Sequence, residues 1–217
     1  MFEQDPVWQQ VLRFWFGEGF LSASELSAKE LSVKESWPLP QQEKRWFRGG
    51  AALDAEIAER FGHVVDAALW SEMVDWENRP LSRLALIVVL DQFTRNIYRG
   101  EARAFAGDHR AVTLVNEGLA IGMDEQLPWA GRVFFYMPLM HAEDIDLQRR
   151  CITCFERARD AAPADIAVKL ESHIRFAREH AEIIERFGRF PYRNRALGRE
   201  STDEELAFLE HGPSFGQ

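Results

Sequence analysis

The 217-residue sequence has little cysteine, no long apolar run and no excess of positive charge, and each shortage excludes a class of protein. Its only cysteines, Cys151 and Cys154, spell "CITC". A redox pair of that spacing sits at a helix N-terminus after a strand, where the dipole lowers the thiol pKa. Here the pair falls inside "DLQRRCITCFERARD", a helical pattern, and no second pair completes a zinc site. The two read as reduced thiols on a helix. No apolar stretch reaches the roughly 18–20 residues that span a bilayer. "MFEQDPVWQQ" lacks the basic start and apolar run of a signal peptide, so the cytoplasm is the expected location and no membrane partner is expected. A net charge of −9 and a pI near 5.2 disfavour nucleic acid as the main partner.

Period-two alternation is also missing, as is a clean internal repeat, a phosphate-cradling loop ("FRGGA" at 47–51 lacks the P-loop lysine) and a nucleophile elbow. "GPSFG" (212–216) matches G-x-S-x-G in letters only, since just Gln217 follows where a helix is needed. What remains is helical. Asp5-Pro6 opens a first helix with Asp5 as cap, and Gly17 ends it. Residues 21–45 read as a variable, partly helical excursion. Further helices are expected from Gly50 to Trp70, from Pro80, from Gly107-Asp108 with Asp108 as cap, and from Pro128 to Pro138, which cannot continue an undisturbed helix. Two more cover roughly 144–161 and 164–187, the second stopped by Gly188. After an irregular, Arg-rich loop at 188–200, a capping box (Ser201, Glu204) starts the last helix. The tryptophans, Trp70 included, sit mostly on apolar stripes and read as core, with Trp37 as a surface exception. Residues 1–217 are expected to form one all-α domain of antiparallel helix pairs.

One stretch resists the bland reading. "LDQFTRNIYRG" (90–100) follows the apolar run "LALIVVL", yet brings Asp91, Gln92, Arg95, Asn96 and Arg99 within nine residues. An exposed Asp91–Arg95 pair at four-residue spacing contributes only ~0.3–0.5 kcal/mol. Burial is the informative case, because each unpaired buried group costs ~1–3 kcal/mol and so demands partners from elsewhere in the chain.

Taken in order, "VLRFWFG", "RWF", "LDQFTRNIYRG", "YMPLMHAED", "FGRFPYRN" and "LGRESTDEE" resemble the bacterial "domain of unknown function 924" family over nearly the whole chain. The resemblance implies an all-helical, tetratricopeptide-like α-α superhelix and no established activity. Thr94 departs from the pattern, standing where the family often has proline. Proline would end the helix near Phe93, whereas Thr94 permits it to continue.

Partners for the buried polar groups are available in "HAEDID" (141–146), with His141 and Glu143, and in "ERFGRFPYRNRALGR", with Arg189, Arg193 and Asn194. Either these segments satisfy one another, or they line a groove whose arginine forks hold a carboxylate or phosphate. The groove is taken as the leading expectation: a binding site for a small anionic ligand or acidic peptide, formed by Asp91, Gln92, Arg95, Asn96, Arg99, Tyr136, His141, Glu143, His180, Arg189, Arg193 and Asn194. The alternative is an enzyme using the same groove, with His141, Glu143 or Asp91 in acid–base roles. A third reading is a protein-interaction scaffold. No metal or cofactor is expected: His141 and Glu143 are two apart and diverge on a helix, and His173 and His180, seven apart, read as core-edge histidines.

Overall fold

The computed structural model describes residues 5–23, 37–38, 40–48 and 50–212, and among these residues there is no strand. The expected excursion at 21–45 and the "GPSFG" segment therefore lie largely outside the described residues. The helices are α1 (Val7–Phe16), α2 (Gly19–Ala23), α3 (Pro40–Arg48), α4 (Gly50–Leu69), α5 (Pro80–Val88), α6 (Thr94–Ile97), α7 (Asp108–Ala120), α8 (Trp129–His141), α9 (Ile145–Ala161), α10 (Ala164–Phe187) and α11 (Asp203–His211). Consecutive helices joined by short connections pack on each other, α9 against α10 most extensively, which is compatible with tetratricopeptide-like stacking. No described helix is long and apolar enough to cross a membrane.

Helix α8 is the axis of the fold. It packs against α5, α7, α9 and α10, and every residue from Trp129 to Met140 is buried. A helix apolar on all sides belongs in such a position. This burial corrects the expectation that Pro138 ends the helix: α8 runs on to His141, because neighbours hold it from all sides. Its C-terminal carbonyls are also caught, since the buried Gln148 donates to Met140 O (2.5 Å) and Ala142 O (2.8 Å). Around α8 an aromatic core forms, in which Trp15 meets Phe93 and Phe134 edge-on. A smaller apolar cluster of Ile183, Ile184 and Phe190 sits under the C-terminal segment, which includes a 3-10 turn at Pro191–Arg193.

Five local expectations are corrected. Asp108 is the first residue of α7 rather than its cap, which is Gly107, because its carboxylate is taken by Arg95. Asp5 likewise pairs with Arg13 and leaves Pro6 at the cap position. The capping box is Thr202–Glu205, one residue later than expected, which turns Glu205 inward to Arg189 and Asn194. Among the tryptophans, Trp70 is 78% exposed, since it falls off the 53-57-61-65-68 stripe of α4. Trp37 is 5% exposed and packs beside His173 with its indole N–H on Glu43.

Candidate functional site

The apolar run of α5 passes directly into a π turn, Val89–Phe93, before α6 resumes. Thr94 N–H donates to Val89 O, five residues back, so the chain widens by one residue where the polar motif begins. Three successive side chains reach back four residues to hold the widened turn. Thr94 Oγ1 donates to Leu90 O, Arg95 Nη1 to Asp91 O and Asn96 Nδ2 to Gln92 O, each at 2.8 Å. Thr94 thus does permit the helix to continue, and its N–H and hydroxyl are both used. Gly107 lies against the same turn: a Cβ there would sit 2.3 Å from Leu90 O, so only glycine fits.

The turn places Asp91 in the interior, 1% exposed, among three partners. Its carboxylate accepts from His141 Nδ1 (2.7 Å) and Gln92 Nε2 (2.6 Å), and Arg95 Nη1 lies 3.1 Å away. Burial opposes the charge, but His141 and Arg95, with hydrogen bonds from His141 and Gln92, more than offset it and hold the carboxyl below its ordinary range. A carboxylate can only accept, so Nδ1 of His141 carries the proton. Whenever the ring is neutral, Nε2 is then the basic nitrogen, and among the described residues it has no hydrogen-bond partner. His141 terminates α8, positioned by Gln148 at that helix end, with 15% of its side chain exposed. His180 from α10 stands with its ring centre 6.3 Å from that of His141, and its own Nδ1 is engaged by Phe176 O at 2.7 Å. Burial, then the neighbouring His141, push His180 down to about 3, so it stays neutral.

Most of the expected arginines are engaged by carboxylates. Arg95 grips Asp108 with both Nη atoms (2.7 and 2.8 Å), and Arg99 grips Asp54 through Nε and Nη2 (3.0 Å each). Glu143 accepts from Arg199 (2.6 and 2.9 Å) and from Phe190 N–H (2.8 Å). Arg189 pairs with Glu205 (2.6 and 2.8 Å), which also accepts from Asn194 Nδ2. Arg193 is 3% exposed and sandwiched between the rings of Phe105 (4.8 Å) and Phe190 (4.5 Å), with Asp108 at 3.5 Å and, among the described residues, no hydrogen bond to its buried Nε and Nη2. Four carboxylates (Asp91, Asp108, Glu143, Glu205) thus face four guanidiniums (Arg95, Arg193, Arg199, Arg189).

Of the residues named from sequence, the structure brings Asp91, Gln92, Arg95 and His141 into direct contact, with Asn96, His180, Glu143 and Arg193 around them. It does not bring in Tyr136, whose hydroxyl donates to Asp124 (2.6 Å), on a different face of α8. Arg189 and Asn194 belong to the Glu205 cluster, and Arg99 to the surface pair with Asp54. Sequence reading missed Asp108 and Gln148. Asp108 carried the signal of an ordinary helix cap, and Gln148 carried none. Among the described residues, no three His, Cys, Asp or Glu side chains gather to hold a metal.

A family model described as "Bacterial protein of unknown function (DUF924)" matches residues 11–213. Among solved structures, a protein of unknown function, ATU0120 from Agrobacterium tumefaciens, is similar to the chain at 33% identity and a TM-score of 0.73, over 95% of this chain and 98% of that one. Among curated proteins there is no match.

Proposed function

The chain belongs to the bacterial DUF924 family, and from its geometry we propose that it is an acid–base catalyst whose working group is His141. The observation that carries this is the 2.7 Å contact between Asp91 and His141 Nδ1. A buried carboxylate fixes the tautomer and the ring orientation, leaves Nε2 as the base, and stabilises the imidazolium once a proton is taken. Asp91 is a positioning residue here, and the π turn is the device that delivers it. The expected result is that a small-substrate panel (phosphate monoesters, carboxylic esters, amides, lactones) gives turnover lost in His141→Ala at unchanged folding. Turnover that survives His141→Ala removes the proposal.

A second reading, binding of a small anionic ligand, is supported by a cavity of about 50 Å³ lined by Arg95, Arg99, Phe105 and Tyr192 beside the same site. It suits a single carboxylate or phosphate group in size, and Arg95 links it through Asp91 to His141. The even balance of carboxylates and guanidiniums leaves no surplus of positive charge in the surroundings. This reading predicts that inorganic phosphate or sulfate raises Tm saturably and that Arg99→Met abolishes the rise. A Tm indifferent to either ion rules it out.

A further inference from the structure

On the far side of α8 from His141 lies a cavity of about 620 Å³, between α8, α9 and the 3-10 turn Asp124–Gln126. It lies on the face of α8 that carries Trp129, Arg132 and Tyr136, spaced three and four residues apart, whereas Met137 and His141 mark the face toward Asp91. A cavity of this volume accommodates a small organic molecule, with aromatic and apolar walls giving affinity and a few polar groups fixing orientation.

Charge pairing within the cavity is uneven. Arg132 is spent on backbone carbonyls, Leu127 O (3.1 Å) and Glu125 O (2.8 Å), and its guanidinium centre lies 4.1 Å over the Trp129 ring. Glu125 has Arg157 at 3.6 Å, and Asp160 has Arg159 at 2.8 Å. Asp124 differs from these two acids. Its contact is the neutral hydroxyl of Tyr136 at 2.6 Å, and among the described residues no cation lies within salt-bridge distance. The neighbouring acidic protons stay in place: burial and then Asp124 push the Tyr136 phenol up, and push the Cys154 thiol up to about 11. Asp124 thus lacks a salt bridge and feels Arg132 only at longer range, on a wall it shares with Trp129, Tyr136, Cys154 and Ala158 as well as Arg132 and Arg157. A single carboxylate with a neutral phenol and thiol is too poor a ligand set for a divalent metal, but it matches one ammonium group.

We propose that this cavity binds a small organic amine, the ammonium pairing with Asp124 and the apolar body lying along Trp129 and Ala158. The probe is 2-phenylethylamine, measured by calorimetry on the full chain, with 3-phenylpropionate as the charge-reversed control. Saturable binding of the amine is expected, with the carboxylate binding at least about tenfold more weakly. Asp124→Asn, which still accepts the Tyr136 hydrogen bond, is expected to weaken amine binding by about tenfold or more. Ala161→Trp, at an exposed position of the lining, is expected to block it by filling space. His141→Ala is expected to leave it unchanged, which separates this site from the acid–base site. No saturable binding at millimolar amine, equal binding by Asp124→Asn or by Ala161→Trp, or equal binding of the carboxylate overturns the proposal.

Discussion

Replacing Asp91 with asparagine exchanges one carboxylate oxygen for an amide and leaves the shape of the side chain almost unchanged. The wild-type carboxylate serves His141, Gln92 and Arg95 at a position 1% exposed. Breaking a buried ion pair by removing one partner costs about 3–5 kcal/mol. The loss here is smaller for a specific reason: Arg95 keeps both of its bonds to Asp108, so its charge is not orphaned. Asparagine Oδ1 still accepts from His141, and its Nδ2 is satisfied only if the Gln92 amide rotates. What disappears is charge assistance in two bonds, about 2–3 kcal/mol in total. For a chain of this length that lowers Tm by about 4–12 °C, readable by calorimetry and urea titration. The acid side of the stability curve provides a second test. Because the folded carboxyl lies below its ordinary value, it contributes stability that is present above pH ~4 and fades as pH falls below it. Asp91→Asn lacks that contribution, so the variant and wild type converge in acid. An Asp91→Asn protein as stable as wild type at pH 7, or more stable, refutes this description of the buried network.

Gly107→Ala forces a methyl group to within 2.3 Å of the Leu90 carbonyl and must shift the π turn; a loss of about 2 kcal/mol or more is expected in urea titration. His173 and His180 are held by burial at about 4 and about 3, so the unfolded chain takes up protons below pH ~6.5 that the folded one refuses. Stability falls as pH drops from 7 to 5, and His173→Phe, which preserves the stacking on Phe155, removes about 2 kcal/mol of that fall; an unchanged slope counts against it. Arg193 is held by ring faces more than by charge. Arg193→Met is therefore expected to cost under about 1 kcal/mol, against about 2–4 for Arg193→Ala, by calorimetry.

The helix pattern was legible where proline and glycine punctuate the chain: Pro80 opens α5, Gly17 and Gly188 end α1 and α10, and α10 spans the expected 164–187. Caps were less legible. Asp5 and Asp108 have the chemistry of a cap, but each is claimed by an arginine, and a charge-assisted pair outcompetes a capping bond. Pro138 misled because propensity rules apply to isolated helices, whereas α8 is held from every side. At the site, the cost of burying "LDQFTRN" correctly pointed to distant partners, and His141 was among them. The π turn was not readable, since it depends on Gly107 fitting against Leu90 from another element. Tyr136 was expected in the same groove as His141, but the two point to different faces of α8.

The most direct test of the acid–base account is the tautomer of His141, read from ¹⁵N chemical shifts and two-bond ¹⁵N–¹H couplings in wild type and Asp91→Asn. The account predicts a wild-type neutral ring with the proton on Nδ1 and a bare Nε2, and a mixture of tautomers once the carboxylate is removed. A wild-type ring whose neutral form carries its proton on Nε2 contradicts it.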